Sequence, residues 1–368
     1  MAVLSTLQKI FPPPAYITLP GIGVDISDTS LKYVAFERTH THDVNLTLTK
    51  WGDIDIPQGV VERGNVHDQA VLINVLKEVK KRTDAEYVTV SLPEERAYLF
   101  ETTIPMSTER KNIRELLEFR LEENVPLSPR DAYFDFAIVG EDTETSDYRM
   151  VVAVYARDTI NNYYDACIQA ELLPLAFEIE AQAIARATIP HGADEAYMII
   201  DFGRTRMGVG IVYHGALMYT STIDVAGQQL SAAMRQVLGE TTSESELTRI
   251  KNTKGIIASP DNEPVARALR EVMRNMVDEL SVRMHYWHTR KIDRGERQIK
   301  KIVLCGGSSN LWGLSEYLTD ELKIPTERAE VWQNAFSLES FVPPVTRKYS
   351  YGYATAIGLA LRGFIHTP

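Results

Sequence analysis

The chain has 368 residues, 44% of them apolar and 24% charged, the balance of an ordinary globular protein with enough length for two domains. Its formal net charge of −11, from 39 basic and 50 acidic side chains, repels phosphate backbones and argues against a nucleic-acid protein. Cys167 and Cys305 stand far apart and no Cys/His group has zinc-ligand spacing, so a reducing, cytoplasmic setting is expected.

Met1 to Phe11 has one lysine and no long apolar run, so it does not read as a secretory signal, and no stretch reaches the roughly 20 apolar residues of a membrane span. Leu4, Leu7 and Phe11 give a short apolar face, and Pro12-Pro13-Pro14 separates this arm (1–20) from the fold. Strands are predicted at Ile22–Asp25, Leu31–Glu37 and near Asn45–Thr49, with a turn at Ser27–Ser30. Val71, Leu72, Val75, Leu76 and Val79 fall on one helical face, and Lys77, Lys80, Lys81 and Arg82 crowd its end, where cations suit the helix dipole. Tyr87–Leu92 reads as a strand stopped by Pro93.

A block from about Ala97 to Leu173 then keeps its own rhythm. Tyr98–Ile104 reads as a strand, and Ser107 or Thr108 as the cap of a helix bearing Ile113, Leu116, Leu117 and Leu121. Tyr133–Val139 and Met150–Tyr155 read as strands around a polar loop, and Asp158–Leu172 as a helix. The pattern is a β-α-β-β-α module inserted into a larger domain, with Phe119, Phe134 and Phe136 expected in its core or beside a peptide groove. In the second half, strands are predicted at Tyr197–Gly203, Gly208–Tyr213, Leu217–Ile223 and Lys301–Cys305. Apolar residues spaced by threes and fours from Ala266 to Trp287 give a long helix, and Gly352–Leu361 a final one rich in small residues. Alternating strands and helices define the α/β class.

One pattern occurs twice: Val24-Asp25-Ile26-Ser27-Asp28-Thr29-Ser30 and Ile200-Asp201-Phe202-Gly203-Arg204-Thr205-Arg206. In each, a strand reaches an aspartate, turns tightly and leaves as another strand. Such turns serve by themselves as ordinary turn chemistry, or as a pair whose amides bind polyphosphate from two sides while an aspartate holds hydrated Mg²⁺. Leu304-Cys305-Gly306-Gly307-Ser308-Ser309 adds a strand, a glycine pair and a helix start, which allow close approach of a flat ligand. GxxxxGK[ST] and GxGxxG are both absent.

In this order the three elements resemble the actin-like ATPase superfamily, a duplicated ribonuclease H-like fold of two lobes. The similarity narrows to the PilM and FtsA branch on GVDISDTSLKYVAFE (23–37), TTIPMSTERKNIRELLEFRLEENVPLSPRDAYFDF (102–136), PLAFEIEAQAIARA (174–187), IDFGRTRMGVGIV (200–212), LCGGSSNLWGLSEYL (304–318) and GYATAIGLALR (352–362). The second segment looks like the extra subdomain of that branch. FtsA ends in a membrane-targeting helix, whereas this chain ends Ile365-His366-Thr367-Pro368, which favours PilM. The implied organisation is an arm (1–20), a first lobe (21–96), the extra subdomain (97–175), a hinge helix (176–190), a second lobe (191–345) and a C-terminal hinge helix (346–368). Ala356 and Gly358 would let the hinge helices pack closely.

The resemblance implies a cytoplasmic adaptor of the type IV pilus, or of a related secretion platform, that binds ATP with Mg²⁺ between its lobes. It grips the short cytoplasmic tail of a PilN-like inner-membrane protein in a groove beside the extra subdomain, without entering the membrane itself; self-association stays open. Asp25, Ser27, Asp28, Thr29, Ser30 and Lys32 match the first phosphate motif, with Ser27 where glycine is commoner. Asp201, Gly203, Arg204 and Thr205 match the second, and Asp25 and Asp201 would hold Mg²⁺ through water. Arg206 and Met207 fall where a threonine is usual; an arginine there is either a charge partner for phosphate or a solvated surface residue. Gly306, Gly307 and Ser308 match the adenosine segment, while Glu246 and Arg249 stand near the adenosine or on a solvated helix face. Glu180 and Gln182 are the candidates for positioning water, with a purely hinge-supporting role as the alternative, and hydrolysis is expected to be slow or absent. A division scaffold like FtsA, or a small-molecule kinase on this fold, is the competing reading. His285 and His288, three apart on the long helix, read as packing and surface residues.

Overall fold

The computed structural model describes residues 21–38, 46–290 and 297–364, so the expected arm (1–20) and the chain end (365–368) lie outside the described residues. The first lobe begins with β1 (Ile22–Ile26), buried throughout, antiparallel to β2 (Ser30–Arg38), which pairs with β3 (Leu46–Asp55). After the small hairpin β4 (Val61–Glu62) and β5 (Asn65–Val66) comes α1 (Gln69–Thr83), capped by Asp68, whose carboxylate accepts the Val71 N–H at 3.0 Å. It buries Leu72, Val75, Leu76 and Val79 and ends in Lys80, Lys81 and Arg82, as its periodicity requires. β6 (Tyr87–Leu92) then runs parallel beside β1.

The inserted module follows: β7 (Tyr98–Pro105), α2 (Arg110–Asn124), β8 (Ala132–Asp142) and β9 (Asp147–Ala156), in the order β7-β9-β8. Its separate core holds Ile104, Ile113, Leu117, Leu121, Phe134 and Val152. Three expectations fail here. Glu109 takes the cap position of α2 without a side-chain bond, rather than Ser107 or Thr108. Leu116 is exposed and Phe119 is 74% exposed, because a 15-residue helix on a three-stranded sheet buries only one narrow stripe. The last helix of the module, α3 (Arg157–Gln169), buries Tyr163, Ala166 and Cys167 in the first-lobe core instead. The independent core is therefore β-α-β-β.

From α3 the chain enters β10 (Leu173–Ile179), a strand not predicted from the sequence, which pairs parallel with β6. Then comes α4 (Glu180–Thr188), buried along almost its whole length. The second lobe consists of β11 (Ala196–Phe202), β12 (Met207–Tyr213), β13 (Ala216–Ile223), α5 (Gly227–Leu238), α6 (Glu244–Thr253), α7 (Glu263–Thr289), β14 (Ile299–Cys305), α8 (Leu314–Leu322) and β15 (Thr326–Arg328). α9 (Arg347–Ser350) and α10 (Ala354–Leu361) return to the first lobe.

The two five-stranded sheets match strand for strand. The first runs β3-β2-β1-β6-β10 and the second β13-β12-β11-β14-β15. In each, the first three strands are antiparallel and the last two run parallel to the central strand, so the expected duplication is visible in the hydrogen bonding itself. The lobes meet at α4 and α10. A methyl on Gly358 would lie 1.7 Å from Ala183 O, so the two helices cross with backbones in contact, and only glycine permits that approach. Among the described residues no helix is long and apolar enough to cross a membrane.

Candidate nucleotide cleft and peptide groove

Corresponding strands put corresponding turns face to face. Asp25 is the last residue but one of β1, opposite Lys32, and Asp201 is the last but one of β11, opposite Gly208. In the first turn the Ser27 hydroxyl donates to Ser30 O at 2.9 Å, and Lys32 Nζ donates to Ser30 Oγ at 2.9 Å. Serine thus closes this turn through its own side chain, where the glycine of related motifs would leave it open. In the second turn, the Gly203 N–H lies 3.1 Å from both Asp201 O and Arg206 O, and Ser308 Oγ donates to Gly203 O at 2.9 Å.

The glycine pair docks onto the same place. Gly306 has φ +82°, and a methyl there would lie 2.4 Å from Asp201 Oδ1 and 2.5 Å from Phe202 O. Any other residue would push the end of β14 off β11. Gly307 meets nothing within 4 Å of such a position, and a methyl on Gly352 would lie 3.8 Å from Lys32 Cε and 4.0 Å from Gly307 N. The structure therefore gathers Asp25, Lys32, Asp201, Gly306, Gly307 and Ser308 between the lobes.

Arg206 is not the solvated surface arginine that one reading allowed. Its side chain is only 15% exposed and crosses to the first lobe, 3.0 Å from Asp28 Oδ1, 2.9 Å from Glu95 Oε1 and 3.4 Å from Glu180 Oε1. Arg204 is exposed. Met207, which has no donor to offer a phosphate, points the other way into the second-lobe core, as strand alternation demands.

The electrostatics follow from crowding. Burial lifts Asp25 above its ordinary value against the pull of Lys32, the Ser91 hydrogen bond and Arg206. Burial and then the negative charge of Asp25 push Asp201 up to about 6. Glu94 is raised to about 8 by burial, Asp201 and Glu95, and Glu180 is raised well above the carboxylate range by burial, opposed by Arg206. Burial pulls Arg206 down, but Glu180, Glu95 and Asp28 outweigh it and hold the guanidinium charged. Ser91, Glu94 and Glu95 escaped the sequence reading. The available signal was two adjacent carboxylates directly after Pro93, at the end of a buried strand.

The remaining candidates are engaged with partners of their own. Gln182, two residues past Glu180, accepts the Leu217 N–H at 2.8 Å and donates to Gly215 O at 3.2 Å, which ties α4 to the β12–β13 turn. Glu246 and Arg249 pair with each other on exposed α6. His288 Nε2 accepts the Ile299 N–H at 3.3 Å.

A second concavity, about 620 Å³, opens on the opposite face of α4. Tyr133 to Ile138 of β8 line it in an unbroken run. Since successive side chains of a strand point to opposite faces, that run means the edge of β8 that is unpaired among the described residues faces the groove. Phe177 and Ile179 of β10, and Gln182 and Arg186 of α4, form the facing wall. Arg186 is held by both carboxylate oxygens of Glu178 and by Gly358 O at 3.0 Å. His214 and Asp194 pair at 3.5 Å on the rim.

A search of curated proteins found no match. Among solved structures, a PilM–PilN type IV pilus biogenesis complex aligns at 20% identity with a TM-score of 0.75, covering 94% of this chain and 99% of that one. The ethanolamine utilization protein EutJ from Carboxydothermus hydrogenoformans aligns at 15% identity with a TM-score of 0.52, covering 95% and 90%. Both are similar in fold. The profile of the family described as type IV pilus assembly protein PilM matches residues 23–364. A match over nearly the whole chain places this protein in the PilM family of type IV pilus assembly proteins.

Proposed function

We propose that the chain is a cytoplasmic, actin-like adaptor of pilus assembly that holds the short tail of a PilN-like inner-membrane protein and binds a magnesium–adenine nucleotide between its lobes. The observation that carries the reading is the groove along β8. An unpaired strand edge beside apolar walls accepts an extended peptide as an added strand: main-chain hydrogen bonds supply affinity, and Phe136, Ile138 and Phe177 would take alternate side chains. The solved relative in complex with PilN gives the occupant its chemistry. Attachment to the membrane would then come through that partner.

For the nucleotide, the residues present fit the group. Asp25 is close enough for its negative charge to raise the affinity of Asp201 for protons, which is the charge arrangement a hydrated Mg²⁺ relieves. Lys32 stands beside them, and Gly307 offers open backbone on the adenosine side. Bound Mg²⁺ would neutralise phosphate oxygens. Glu180 is the group nearest a water-positioning role, but burial and crowding bias it toward its neutral form, a poor proton acceptor. We therefore expect slow or absent hydrolysis, with binding rather than turnover as the working signal.

Calorimetric titration tests both halves. Mg·ATP should bind the wild type, and Asp201→Ala should lose that binding. A synthetic tail peptide of the PilN-like partner should bind the wild type, and Ile138→Asp, half-exposed on β8, should weaken it at least about tenfold without shifting the melting temperature. A tail that binds Ile138→Asp as well as wild type removes the groove from the reading.

A further inference from the structure

The two turns match in backbone but differ in charge. The first carries Asp28 at its tip, and the second carries Arg206, whose guanidinium crosses between them. We propose that Arg206 is the residue by which this site distinguishes a nucleoside triphosphate from a diphosphate, exchanging its carboxylate partners for the terminal phosphate. The inference rests on the nucleotide reading above and adds the residue that sets its specificity.

Three observations support it. The first is position. Gly352 stands beside Lys32 and Gly307, Arg206 gathers Asp28, Glu95 and Glu180, and the charges of both Lys32 and Arg206 reach Asp25 and Asp201. A nucleotide laid with its base at the glycines runs its phosphates past Asp25 and Asp201 toward Arg206.

The second is the quality of the ion pairs. Nη1 is divided between Asp28 and Glu95, and Nη2 reaches Glu180 at 3.4 Å, so no partner takes the guanidinium through two matched bonds. Neither Glu95 oxygen accepts a hydrogen bond of ordinary geometry. A phosphate group, with several oxygens and more than one negative charge, engages the fork through two parallel bonds and competes well against such split contacts.

The third is the imbalance of charge. Asp25, Asp28, Glu94, Glu95, Glu180 and Asp201 converge on Arg206 and Lys32, and Glu94, only 3% exposed, has an Oε2 without a hydrogen-bond partner in the structure. The pairing seen here thus leaves carboxylate capacity unmet, and it is loosely enough distributed to be exchanged.

The test is the ratio of ATP to ADP affinity, measured with Mg²⁺ by calorimetry on the full chain. Arg206→Gln should erase a preference for ATP of about tenfold and leave ADP binding little changed. Glu95→Gln, which removes a competitor for the guanidinium while keeping its shape, should raise that preference severalfold. An unchanged ratio in Arg206→Gln overturns the inference while leaving the nucleotide reading intact. Should Arg206→Gln fail to fold, Glu95→Gln decides by itself: a raised ratio supports the exchange and an unchanged one overturns it. A wild type that binds neither nucleotide overturns the nucleotide reading and this inference together.

Discussion

Arg206 and Arg186 stand on opposite sides of the same helix and make opposite kinds of ion pair. Arg186, with a side chain only 2% exposed, meets Glu178 through both terminal nitrogens and both oxygens, adds Gly358 O from α10 and leaves only its Nε without a partner, while Arg362 adds a contact to Glu178 at 3.3 Å. Arg206, more exposed, is divided among three carboxylates on three different segments. The first is a matched pair that fixes the hinge where two backbones touch. The second is a surplus of carboxylates around one movable cation. A buried charge whose partners are all satisfied belongs to the architecture, whereas one shared by partners that stay unsatisfied is available to a ligand.

The sharpest way to break the contrast is to remove each arginine. Arg186→Ala takes the matched partner from buried Glu178, leaves it only the partly exposed Arg362 at 3.3 Å beside a helix crossing with no room to relax, and should cost about 3 kcal/mol in chemical denaturation. Arg206→Ala should cost less, about 1–2 kcal/mol, because Glu94 and Glu180, already biased toward protonation, can take up protons and shed the exposed repulsion. Equal losses would mean that both arginines are structural.

Acidity sharpens the same comparison. Glu94 rises from an ordinary 4.5 to about 8 in the folded protein and Asp201 from 3.8 to about 6, so the folded state holds protons that the unfolded chain releases. Stability from these groups is complete below their unfolded values and is lost as pH rises through the folded ones. Between about pH 5 and about pH 8 the wild type should lose about 5 kcal/mol of unfolding free energy. Glu94→Gln, neutral at every pH, should flatten most of that slope and leave the share due to Asp201.

The fold was largely legible in the sequence because its signals are local. Leu72, Val75, Leu76 and Val79 mark a helix by spacing, and the paired aspartate turns mark the duplication. The failures are contacts that spacing does not encode. β10 carries Pro174 and lacks clear alternation, and it becomes a strand only because β6 offers it a parallel edge. Of the site, Asp25, Lys32, Asp201 and Gly306 were legible as motif positions. The burial of Arg206 was not, since only the facing lobe turns a surface arginine into an interior one; nor was Gln182 legible as a brace, because its partners are backbone groups 33 and 35 residues away.

The smallest expected effect concerns the pair that the structure leaves at the surface. Glu246 and Arg249 bond to each other on α6, where water screens both charges. Arg249→Ala should therefore leave the melting temperature unmoved. If the adenosine lies over the glycine pair as proposed, with α6 tied to that segment through Trp312 N–H to Lys251 O at 2.9 Å, the same variant should weaken Mg·ATP and Mg·ADP alike, by no more than about threefold. Equal weakening of both nucleotides distinguishes a contact with the nucleoside from one with the terminal phosphate, the contact assigned to Arg206. A change confined to ATP would place Arg249, and not only Arg206, at the phosphate end, and would reverse the orientation inferred for the nucleotide.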